Sequence, residues 1–214
     1  MSKDNFNFKP FLISIFIVFI YLIIIWINKN VIFDVSFYYK LWQTKFSTER
    51  IERIIVQNNK FSIFSYLFWP CVLYIKWLLI CIVLYIGIIF FEIDMTFKNC
   101  FKIVLLAESI PLILLITKTL YFYIYPPNSL ELVQNFNPLG LTSILKYDHI
   151  STYFLYPIQQ INLFEVGYWL LLAYGINSLG NVDLKKSLKV VTLSYGFGLT
   201  IWCIFIVFIQ LQFS

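Results

Sequence analysis

FLISIFIVFIYLIIIWI, residues 11–27, runs for seventeen positions without a charged residue, a proline or a glycine. As a helix it covers roughly 25 Å, just enough for a thin bilayer core. Lys9-Pro10 precedes it and Asn28-Lys29-Asn30 follows. Lys3 and Lys9 ahead of an apolar run imitate a signal peptide. The run ends Ile-Trp-Ile-Asn-Lys, with no small-residue cleavage site, so it is expected to stay as an uncleaved first span. Similar runs follow at residues 71–91, 103–125, 161–179 and 190–213. The expected fold is all-α: an integral membrane bundle of about five transmembrane helices with interfacial amphipathic helices, its termini on opposite sides.

Composition agrees. Charged residues make up 13% and hydrophobic ones 60%, with mean hydropathy +0.80, whereas a soluble domain carries about a quarter charged residues. The aromatic residues, 21% of the chain, suit the belts where spans meet headgroups. A net charge of +5 is what helix-end lysines and arginines supply, and no segment is basic enough for a nucleic-acid face. Cys71, Cys81, Cys100 and Cys203 form no CxxC pair, and His149 is the sole histidine. No metal site or cofactor is expected from such spacings.

Residues 28–62 read differently. Phe37, Tyr38, Leu41 and Trp42 recur at near-helical spacing, as do Ile51, Ile54 and Ile55, with Lys40, Lys45, Glu49, Arg50, Glu52 and Arg53 between. Ser47 suits an N-cap, and Phe46 with Ile51 has staple spacing. Two short amphipathic helices on the membrane surface are expected. The chain divides into an anchor with its interfacial segment, residues 1–60, and a four-helix membrane region, residues 61–214. After Pro126-Pro127 a polar-aromatic segment to Gln160 is too long for a turn and predicts a partly ordered hairpin. Basic residues divide equally between the two sides. Those near the N-terminus and in the second and fourth linkers crowd helix ends, which favours that side as cytoplasmic.

Charges inside spans are functional candidates by default. Four qualify: Lys76, Glu108, Lys118 and Glu165. Counting helix rise from the span ends puts Lys76, Lys118 and Glu165 in one layer, with Glu165 paired to a lysine. Glu108 falls nearer the opposite surface, with Lys102, Asn177 or Ser178 as partner. No conventional catalytic centre emerges. Asp148, His149 and Ser151 are adjacent rather than arranged as a triad, and Ser194–Gly198 follows no strand that would make it a phosphate loop. Thr192, Gly196 and Thr200, at i, i+4, i+8, form a small-residue face for helix packing.

Three stretches resemble the Yip family of five-span membrane proteins: TFKNCFKIVLLAESIPLILL (residues 96–115), NPLGLTSIL (137–145) and INLFEVGYWLLLAYGINSL (161–179). Their order and spacing carry the likeness from about Phe61 onward. Eukaryotic members bind prenylated Rab-type GTPases through a long cytosolic N-terminal region. An early span and an amphipathic segment stand in its place here, so GTPase binding is not carried over. The resemblance implies the bundle and a non-enzymatic part in membrane organisation or complex assembly. The expected partners are the lipid bilayer and another membrane protein or a second copy, in the inner membrane of a bacterium. The alternative is a permease-like subunit passing a small polar or lipid solute along the Lys76, Lys118 and Glu165 layer.

Overall fold

The computed structural model describes residues 9–43, 45–144 and 151–213, and those residues form helices and their connections, without strands. α1 (Pro10–Ile27) starts with proline at its first position, where a missing N–H leaves nothing unpaired. It runs into a π-helical turn, Asn28–Ile32. α2 (Val35–Trp42) is capped by Asp34, whose carboxylate accepts the Phe37 N–H at 2.9 Å.

α3 (Thr48–Phe90) is one helix of 43 residues, roughly 65 Å long and about twice the thickness of a bilayer core. The second of the two expected interfacial helices is therefore the first third of a spanning helix. The physical reason is continuity. No glycine or proline interrupts residues 48–69, and Pro70 is absorbed inside the helix at the loss of the bond its nitrogen would make to the Tyr66 carbonyl. α2 folds back on the start of α3, burying Phe37 and Ile51. The helix passes without a break through residue 60.

The expected third span is two helices, α4 (Phe97–Ala107) and α5 (Ser109–Ile124), parted at Glu108. Pro111 lies in the first turn of α5 and has no N–H to return to the Ala107 carbonyl, so the helix is released there. Thr96 caps α4 by accepting the Asn99 N–H. The long linker contains α6 (Leu130–Asn135), α7 (Leu141–Ile144) and α8 (Thr152–Gln160). Asn137 donates to the Gln159 carbonyl at 2.7 Å, and the Gln159 side chain donates to the Gln134 carbonyl at 3.1 Å. Paired backbone bonds between Leu141 and Ile161 and between Leu163 and Leu139 close the loop. The Asn-Pro-Leu-Gly stretch is thus a latch onto the start of the next helix. Asp148 and His149 lie outside the described residues.

α9 (Leu163–Gly180) is capped by Asn162. The chain finishes with α10 (Leu184–Val191), a π-helical turn over Thr192–Gly196, and α11 (Phe197–Gln212). Among the described residues four helical stretches are long and apolar enough to cross a membrane: Pro10–Ile32, Phe64–Phe90, Phe97–Ile124 and Leu184–Gln212. The protein is an all-α membrane bundle. α9, the expected fourth span, differs in composition because it is the bundle's inner helix. Tyr168, Leu172, Ala173 and Ile176 are sealed among the other helices, so protein rather than lipid surrounds much of it. Outward faces are apolar: Phe16 and Phe19 on α1, Ile75 and Ile82 on α3, Ile204 and Phe208 on α11 are all exposed, as suits contact with acyl chains.

Candidate functional site

Tyr21, Lys76 and Glu108 each stand near the middle of an apolar stretch, and the bundle brings them together. Glu108 is fully buried. Its helix break turns the carboxylate inward, where Lys76 Nζ lies 2.7 Å from Oε1 and 3.0 Å from Oε2. The Tyr21 hydroxyl donates to Oε1 at 2.8 Å. Three helical elements are thereby pinned through one carboxylate.

Glu165 sits beside this group in the first turn of α9. Its backbone N–H is taken by the Asn162 cap, while its Oε1 accepts from Trp169 Nε1 and from the Tyr195 hydroxyl, each at 2.9 Å. Tyr195 comes from the π-helical turn before α11. The Lys76 charge acts on Glu165 as well. Tyr168, one turn on along α9, is buried, with its ring 5.3 Å from that of Tyr195 and its hydroxyl without a partner among the described residues.

Lys76 pairs with Glu108, not with Glu165, which corrects the layer read from the sequence. The depth count took residue 71 as the start of the span. α3 has no end there, so Lys76 lies near the centre of Phe64–Phe90 and reaches the carboxylate at the α4–α5 break. Glu108 is not near a surface, and its partners are Lys76 and Tyr21 rather than Lys102, Asn177 or Ser178. Asn177 instead donates to the Val182 carbonyl at the far end of α9. Lys118 is half-buried on α5 and makes no hydrogen bond or ion pair among the described residues. Its stem can carry the ammonium along the helix toward water.

The small-residue face is also rearranged. Gly196 is buried while Thr192 and Thr200 are exposed; the π-helical turn over Thr192–Gly196 adds a residue to the turn and breaks the register between Thr192 and Gly196. A Cβ on Gly196 would stand 2.5 Å from the Trp169 ring. The close neighbour therefore belongs to the same chain.

No family model, curated protein or solved structure compared with the chain matches it. The site must be read from its own chemistry. Two carboxylates, an ammonium and three phenols can hold and balance charge in a dry interior. Among the described residues no group of three or more His, Cys, Asp or Glu gathers as metal ligands do. Cys81 and Cys100 are buried and reduced, with the Cys100 thiol donating to the Cys81 carbonyl at 3.6 Å.

Sequence reasoning picked out Lys76, Glu108 and Glu165 but missed Tyr21, Tyr168, Trp169 and Tyr195. The available signal was position. Tyrosine normally marks the ends of a span, whereas Tyr21 occupies the centre of one.

Proposed function

We propose that the chain is a non-enzymatic multi-pass protein of a bacterial inner membrane, a scaffold or accessory subunit of a membrane complex, akin to the Yip family. One observation carries the reading. α3 joins a membrane span to a polar arm without a break, so whatever binds the arm is held in fixed relation to the bundle. The arm's Glu49, Glu52, Arg53, Gln57 and Lys60 are exposed, and the ion pair between Arg53 and Glu49, at 3.7 Å, is solvated and adds little stability. Its charges are thus left over for contact with a partner. The buried Glu108 charge is met by Lys76 and the Glu165 carboxylate by Trp169 and Tyr195, which fits a structural centre. The test is purification from native membranes in mild detergent with native mass spectrometry. A defined complex, lost on charge reversal at Arg53 and Lys60, supports the reading; a lone monomer defeats it.

A second reading, a permease-like subunit for a small polar or lipid solute, is favoured by one feature of the site. The Lys76 side chain is 40% exposed although its partner Glu108 is fully buried, so the centre has an open flank. Solute uptake into proteoliposomes that Lys76→Gln abolishes, in a folded variant, would select this reading over the first.

A further inference from the structure

Where α3 ends, the chain turns away through Glu92, which has φ 53°, and an open groove lies between that end and α10. Phe91, Leu184, Leu188 and Leu193 form its apolar wall, and Lys185 and Lys189 its rim, beside Thr192. We propose that this groove seats one anionic diacyl phospholipid, with the phosphate on the Lys185–Lys189 pair and the acyl chains along Phe91 and Leu193.

The groove follows from how the helices meet. α3 and the last helical stretch touch at Gly87 and Ser194, where a Cβ on the glycine would lie 2.6 Å from the serine Cβ. One turn beyond this contact Phe91 holds the ends apart, leaving a wedge open toward lipid. Depth agrees. Leu184–Gln212 has 29 residues, roughly 43 Å of helix against about 30 Å of hydrocarbon. The excess emerges at one end or both, and only the α10 end carries lysines. The lysines therefore stand at headgroup level, with exposed Leu193 below them at acyl level.

Charge selects the occupant. Lys185 and Lys189 are one turn apart on the same helix face, both exposed, and no acidic residue lines the groove. The acids closest in sequence, Glu92 and Asp183, are outside it. Apolar walls continuous with the lipid-facing surface match acyl chains better than a soluble anion. Basic pockets between spanning helices hold anionic headgroups in this way.

The test uses the full chain in mild detergent, offered equal amounts of phosphatidylglycerol and phosphatidylcholine with identical acyl chains and read by native mass spectrometry. The wild type is expected to retain phosphatidylglycerol on the order of tenfold better, from the attraction of two basic side chains. K185Q/K189Q should level the two lipids while its melting temperature stays that of the wild type, whereas K40Q/K45Q, on α2 and the connection after it, should keep the preference. Equal retention by the wild type overturns the proposal. So does a preference that survives in the K185Q/K189Q protein. Displacement of phosphatidylglycerol by an equal concentration of glycerol phosphate would overturn it too, by showing a site for a soluble anion instead of a lipid.

Discussion

Lys76 and Glu108, 32 positions apart in sequence, meet in a two-pronged ion pair of 2.7 and 3.0 Å near the middle of two apolar stretches. The glutamate side chain is wholly enclosed, and the lysine side chain is partly exposed. An interior of low dielectric makes each partner costly without the other. Lys76→Met should therefore destabilise the bundle by about 2–4 kcal/mol, and Glu108→Gln by less, since a glutamine still accepts from Tyr21. Joined as Lys76→Met/Glu108→Gln, the two should cost less than their sum. Unfolding in mixed micelles gives the cycle. Strict additivity would mean that the pair is not coupled.

Glu165 answers to neutral donors. Trp169 and Tyr195 both donate to its Oε1, and an amide oxygen can accept the same bonds. Glu165→Gln is expected to lie within about 1 kcal/mol of the wild type, while Glu165→Leu, stranding an indole and a phenol, should cost about 2–4 kcal/mol. Thermal melting in detergent separates these outcomes. If glutamine is as damaging as leucine, the charge itself is required.

The arm offers a geometric check. Spin labels at Arg53 and Ile89, both on α3, should give a single, narrow distance of about 54 Å before allowance for label length. Two helices hinged at the membrane surface would give a broad or much shorter distribution. A proline at Asn58, an exposed interior position, should broaden the distance without disturbing the bundle, because it breaks the helix outside the membrane.

Apolar runs made the helices legible, because bilayer thickness constrains length so strongly that residues 11–27 could hardly be read otherwise. The arm is not legible as part of a spanning helix, for a definite reason. Amphipathic and fully apolar segments of α3 differ in solvent, not in backbone, and nothing in residues 48–69 signals a stop. The site was half legible. Charges inside apolar runs stand out, whereas their pairing depends on where helices begin and break. Pro111 was visible, but a proline alone does not say that Glu108, three residues earlier, turns inward. The π-helical turn at Thr192–Gly196 has no sequence signature to read, and it moves Gly196 out of register with Thr192.

Gly196 then bears on the choice between scaffold and permease. Had the glycine faced lipid, a partner helix would be the natural occupant of the space. Instead the Trp169 ring fills it, and any side chain at position 196 must displace an indole whose Nε1 is already bonded to Glu165. Gly196→Leu is therefore expected to unseat Trp169 and loosen the contact between α9 and the π-helical turn before α11, at about 1–3 kcal/mol for an overfilled contact, with oligomeric state changing only through lost stability. The gentler Gly196→Ala, combined with Trp169→Leu, should recover part of the loss, because the double variant vacates the space the methyl needs. Melting of the three proteins, alongside native mass spectrometry of each, reads both consequences. A Gly196→Leu protein that melts like the wild type yet loses its partner would return the glycine to an intermolecular surface. One that melts early with its assembly otherwise intact confines the glycine to the bundle and leaves the α3 arm as the surface that the scaffold reading must use.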